Sequence, residues 1–175
     1  MDLEGEVYDM GSNVLFSKIN ELDQAKTIFD HEPFFEIDIS NKAKIKILFL
    51  AGLFKSRFTG GVISAVSPKL ISLDLKRTTN SLEVLSKLGG AANVAITTHD
   101  LHNLLQKQHD GGPGFLLNRG PFMNFLYVSN FNSNTWEFSV HWGGPGWIVL
   151  SFEHDSRDKI TAGHRVIVSK FDLSL

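Results

Sequence analysis

Residues 95–109, AITTHDLHNLLQKQH, place three histidines and an aspartate within fifteen residues. Histidines one helical turn apart can share a metal ion, and His99 and His102 have that spacing. A tight zinc site needs a third protein ligand, and no acid follows at helical spacing; His109 lies two turns beyond His102. The same letters also spell a helix start. Thr97-x-x-Asp100 matches a capping box, in which the hydroxyl takes the N3 amide and the carboxylate returns to the cap amide. Leu101, Leu104 and Leu105 then form an i, i+3, i+4 apolar stripe, with His102, Gln106 and His109 mainly opposite. The stretch reads as a capped helix with inward leucines and solvated histidines. No metal or other cofactor is assigned.

His141 shares the polar side of a strand-like run with Glu137, a combination that can pass a proton. Such pairs are more often ordinary cross-face contacts, and no catalytic residue is assigned. The chain has no G-x-S-x-G elbow, Walker loop or dinucleotide fingerprint, and Asp155-x-x-Asp158 lacks the ligand density of a calcium loop. A non-enzymatic protein is expected. Trp136, Trp142 and Trp147 gather around one glycine-rich turn and are candidates for stacking on a sugar or small ligand, although aromatic residues at strand spacing are more often core.

Charge gives the other candidate site. Residues 1–41 hold ten acids and two bases, whereas 42–77 hold eight bases and one acid, Asp74. The bases are Lys42, Lys44, Lys46, Lys55, Arg57, Lys69, Lys76 and Arg77. A basic block of this kind can neutralise phosphates with little regard to base sequence. Lys42, Lys44 and Lys46 alternate, so on a strand they would share a face. The opposing reading is that acidic and basic segments pack together and cancel.

The elements that would position these residues follow from periodicity. Residues 12–30 read as a helix, with Leu15, Ile19, Leu22 and Phe29 on one side and Pro33 as the stop. Strands are expected at 34–39, 43–50, 62–66 and 69–75, and a helix at 80–88 closed by Gly89-Gly90. From residue 121 the text is that of an antiparallel meander. In TWEFSVHW the alternation is strict, with Trp136, Phe138, Val140 and Trp142 on one side. GGPG occurs twice, in HDGGPGF and HWGGPGW, read as two similar turns.

The totals bound the class. The chain has 175 residues, 42% hydrophobic and 21% charged, with a net charge of −2, which is the size and balance of one globular domain. It contains no cysteine, which excludes disulfides, a thiol nucleophile and cysteine-based zinc sites. The acidic residues 1–12 do not read as a signal peptide, and the longest apolar run, ILFLAGLF, is far shorter than the roughly 20 residues of a transmembrane helix. An intracellular location is expected. The predicted fold is mainly β: a single-domain antiparallel β-sandwich over 34–175, jelly-roll-like, with an acidic N-terminal helix over 1–33 and two short inserted helices.

Three pieces in order carry a family resemblance: Leu50-Ala51-Gly52-Leu53, Gly60-Gly61-Val62, and Ala95-Ile96-Thr97-Thr98 with Asp100. Gly114-Phe115 and the apolar run Phe122–Val128 follow. Over residues 45–130 the chain resembles the thirty-kilodalton (30K) superfamily of plant-virus movement proteins, in particular the tobamovirus branch. It departs from that pattern at Ser67-Pro68-Lys69, where the family's signature aspartate is missing. The resemblance implies a jelly-roll core related to capsid proteins, binding of single-stranded RNA or DNA, homo-oligomers, membrane association without a transmembrane span, and action in the host cytoplasm or plasmodesmata. Two alternatives stand beside it: a viral coat subunit of the same fold, and a carbohydrate- or small-ligand-binding sandwich using the tryptophans.

Overall fold

The structure is a computed structural model that describes residues 15–24, 28–29, 35–52, 54, 64–65, 69–129, 134–152 and 159–169. Strand β1 (Phe16–Asp23) pairs antiparallel with β5 (Lys69–Leu75). This corrects the helix expected over 12–30. The pairing register shifts between Lys18 and Asn20, so Phe16 lies opposite Leu75 in one core cluster while Leu22 lies opposite Leu70 and packs against the other. A bulge lets one strand send apolar residues to both faces, and the resulting spacing imitates a helical stripe.

The chain is mainly β, and its main sheet is open and mixed, in the order β1-β5-β12-β8-β9-β10-β3. Here β3 is Ile47–Leu50, β8 Asn124–Ser129, β9 Thr135–Trp142, β10 Trp147–Phe152 and β12 Arg165–Ser169. The meander expected from residue 121 holds through β8, β9 and β10, which pair antiparallel. It fails at β12, which inserts between β5 and β8 and runs parallel to β8. All five β12 residues are buried, as a strand covered on both faces requires. The short β7 (Ile96–Thr97) continues the same edge of β8, also in parallel, and β3 is parallel to β10. The all-antiparallel expectation is therefore corrected at three pairings. Two short ladders lie apart: β2 (Ile28–Phe29) with β4 (Ser64–Ala65), and β6 (Thr79–Asn80) with β11 (Lys159–Ile160).

Each face of the sheet carries a core. On the first face Leu70, Leu126, Val128, Phe138, Val140, Trp147 and Ile167 pack under Leu101, Leu104 and Leu105 of helix α3 (Thr98–Lys107). On the second, Leu73, Tyr127, Val166 and Val168 pack under Val84 and Leu85 of α1 (Ser81–Lys87) and Val94 of α2 (Ala91–Val94). Asn80 caps α1 by accepting the Glu83 amide at 3.0 Å, and Gly89 and Gly90 both take positive φ beyond its end. The Thr97–Asp100 capping box forms in full at the start of α3.

Candidate functional site

The opening stretch folds into a positioning element, with one correction. Asp100 is fully buried, receives the Thr97 amide at 2.8 Å and accepts a hydrogen bond from the Gln24 side chain at 2.7 Å. His99, expected in solvent, is buried because it occupies the first turn of α3, between cap and core. His102 is half-buried against the Phe35 ring. Burial, then the neighbouring charges of His99 and Lys44, holds its pKa below the ordinary histidine value. His109 is exposed. Among the described residues no three metal-ligating side chains converge.

The two glycine-rich turns meet. Gln108, buried after the end of α3, donates to the carbonyls of Gly112 (2.7 Å) and Leu116 (3.1 Å) and accepts the Leu116 amide at 2.7 Å. The Trp147 indole donates to the Gln108 carbonyl at 2.7 Å, and Trp142 packs edge-on against Trp147. Gly111, with φ of 71°, lies directly against the Trp142 ring; a Cβ there would stand 2.2 Å from a ring carbon. This contact explains why glycine is required. The tryptophans are therefore pieces of scaffold. Trp147 is fully buried, Trp142 and Trp136 are half-buried against the core, and Trp136 sits at the far end of β9 opposite Val128. They present no common ligand surface.

His141 and Glu137 do not pair. Four residues along one strand separate them by about 13 Å. Glu137 is buried, accepts the Ser81 hydroxyl in a short hydrogen bond and faces Tyr127 across the ladder. Burial, then the Glu137 charge, pushes the Tyr127 phenol well above its ordinary pKa, and the Ser81 hydroxyl offsets part of that. Ser81, Glu137 and Tyr127 are all closed to solvent, so the cluster has no entrance for a substrate.

The basic block is split. Lys69 donates to Glu21 at 2.7 Å and lies 3.6 Å from Asp23; the Glu21 bond holds its pKa above the ordinary lysine value. Arg77 is ion-paired with Glu83, whose carboxyl is held low by Arg77 and then by the Thr79 hydroxyl. Lys69 opens β5 and Lys76 follows its last residue, so an extended chain separates them by about 23 Å. Lys55 and Arg57 lie outside the described residues. Lys42, Lys44 and Lys46 gather before β3, five strand positions from β5, or about 24 Å across the sheet. They do not alternate on a strand, as expected, because β3 begins only at Ile47 and residues 40–46 turn.

Among the described residues, that turn holds three of the expected lysines close in sequence and without an ion pair. Lys42 and Lys44 are exposed. The Lys46 amide donates to the His109 carbonyl at 2.9 Å, which brings up the end of α3 with exposed Lys107. Two nearby carboxylates are turned back onto backbone amides, Asp38 onto Ser40 at 2.8 Å and Asp110 onto Gly112 at 3.2 Å.

No local pattern announces the surface beside these lysines. Trp147 pairs with Ile47, but Ile148 pairs with Phe49, so a bulge at Leu48 interrupts the alternation. Ile47 and Leu50 stay in the core while Phe49 emerges on the opposite face, 48% exposed. Only the pairing register reveals this. No protein-family model, curated protein or solved structure matches the chain.

Proposed function

We propose that this chain is a non-enzymatic protein that binds single-stranded nucleic acid through phosphate contacts at the 42–46 turn. The observation that supports this reading is the grouping of Lys42, Lys44 and Lys46, without ion pairs among the described residues, at one end of an open sheet. Lys69 and Arg77 are engaged with acids and leave the expected patch; Lys76 contributes at most a distant contact. Three neutralised phosphates on a single strand imply that log K falls against log salt with a slope of about −2. Fluorescence anisotropy of a labelled oligouridylate tests this. Binding at low salt with that slope supports the reading, and absence of binding at low salt overturns it.

Movement-protein activity, with self-association and contact with membranes and plasmodesmata, is the biological setting that the AITT–Asp100 and Gly60-Gly61-Val62 resemblance suggests for such binding. Among the described residues no helix is long and apolar enough to cross a membrane. A second reading, assembly as a coat subunit, is favoured by the sheet itself, which ends at β1 and β3 without closing. Edge strands invite pairing with another copy. The jelly-roll form of that reading needs a second sheet facing the first, whereas here helices α1 to α3 cover much of both faces. Electron microscopy separates the two: closed particles support assembly, and a stable monomer removes it.

A further inference from the structure

On the second face of the sheet, the helices cover only part of the strands. The side chains of β10 that point there, Ile148, Leu150 and Phe152, are half-buried or exposed, and Phe152 is 42% exposed. Phe49 joins them from β3 through the Leu48 bulge, opposite Ile148, and His141 flanks Ile148 from β9. His141, Ile148 and Phe49 thus form one row across three strands. Phe152 lies four residues along β10 from Ile148 and one strand over from Phe49. Standard strand geometry separates the two phenyl rings' positions by about 14 Å. Lys46 is three residues before Phe49, so the apolar row begins where the basic turn ends.

We infer that this face is a base-stacking platform, on which Phe49 and Phe152 each stack one base of a single strand whose phosphates are held by Lys42, Lys44 and Lys46. The inference rests on the nucleic-acid reading above and deepens it. Charge complementarity selects the occupant: an apolar face that begins where a turn with three lysines ends suits a polyanion that carries flat apolar rings. A flat β-surface with spaced, exposed aromatic rings holds unpaired bases by their π-faces, which every base possesses, so such contacts tolerate sequence. A separation of about 14 Å suits bases that are not adjacent in an extended strand. The half-buried Ile148 and Leu150 between the rings exclude water from the intervening sugar and base edges.

The test compares a short fluorescein-labelled oligothymidylate with an abasic strand of the same length and charge, on the full chain. Oligothymidylate is expected to bind at least tenfold more tightly. Phe49→Leu and Phe152→Leu, which keep an apolar side chain at exposed positions, each weaken oligothymidylate about tenfold and leave the abasic strand unaffected. Lys42→Ala and Lys44→Ala weaken both strands equally. Equal affinity for the two strands, insensitive to both phenylalanines, overturns the platform while the lysine contacts stand. No binding of either strand at low salt overturns both. If the phenylalanine variants instead lower the sedimenting mass, or abolish binding to anionic vesicles, with oligothymidylate affinity unchanged, the face belongs to a second copy or a membrane and the inference fails.

Discussion

The Trp147 indole donates its N–H to the Gln108 carbonyl at 2.7 Å, tying the β9–β10 turn to the end of α3. Both residues are buried, so this bond is closed to solvent. Through it, and through the Lys46 amide on the His109 carbonyl, the two glycine-rich loops and the basic turn form one corner of the molecule.

Trp147→Phe keeps most of the ring but leaves the Gln108 carbonyl without this donor. The Gln108 carbonyl still accepts the Gly111 amide at 2.9 Å, so the expected loss of about 1–3 kcal/mol is that of one buried hydrogen bond plus the cavity left by the smaller ring. Chemical denaturation measures it. A variant as stable as the parent would show that the indole bond contributes little.

Gly111→Ala places a methyl group against the Trp142 ring at a residue with positive φ. Strain and overlap together predict a loss of about 3 kcal/mol. Gly144→Ala is the control: it shares the positive φ but has open space around a Cβ, so only the backbone cost of about 1 kcal/mol remains. Thermal melts of the two variants should differ clearly in midpoint.

Acidification should destabilise the fold. His164 is held below the ordinary histidine pKa by burial, and its Nδ1 accepts the Met123 amide at 2.9 Å, a bond that only the neutral ring can make. His102 and His141 are lowered by burial in the same way. The unfolded chain therefore binds more protons than the folded one. Stability is fully present above the unfolded histidine value of about 6.5 and is lost as pH falls from there through the depressed folded values. Melting midpoints between neutral and mildly acidic pH should decline, and His164→Asn, which keeps an acceptor for Met123, should flatten part of that slope. A midpoint that rises on acidification would contradict the assignment.

Local signals in the sequence mark α1 and α3, but they miss the short α2 and suggest a helix where β1 lies. The Thr97–Asp100 box is a short-range hydrogen-bonding pattern, and it forms where its spacing places it. Strand β9 kept its strict alternation because it pairs regularly on both sides. The errors in the strands have one common physical source. Bulges in β1 near Ile19 and in β3 at Leu48 break the period of two, so one strand imitated a helix and the emergence of Phe49 stayed hidden. The parallel insertion of β12 depends on contacts between residues more than ninety positions apart, such as Arg165 on Asp74, which no local pattern encodes. The basic block misled for a similar reason, because Lys69 is neutralised by Glu21, 48 residues away.

The most direct test of the central claim is the affinity of a labelled single-stranded oligonucleotide, at low salt, for two triple variants. Replacing Lys42, Lys44 and Lys46 with alanine should weaken binding at least tenfold and flatten the salt dependence. Replacing Lys69, Lys76 and Arg77 should change affinity less than about threefold, because two of those cations already hold acids. If the second set weakens binding as much as the first, or if the parent chain does not bind at all, the account is contradicted.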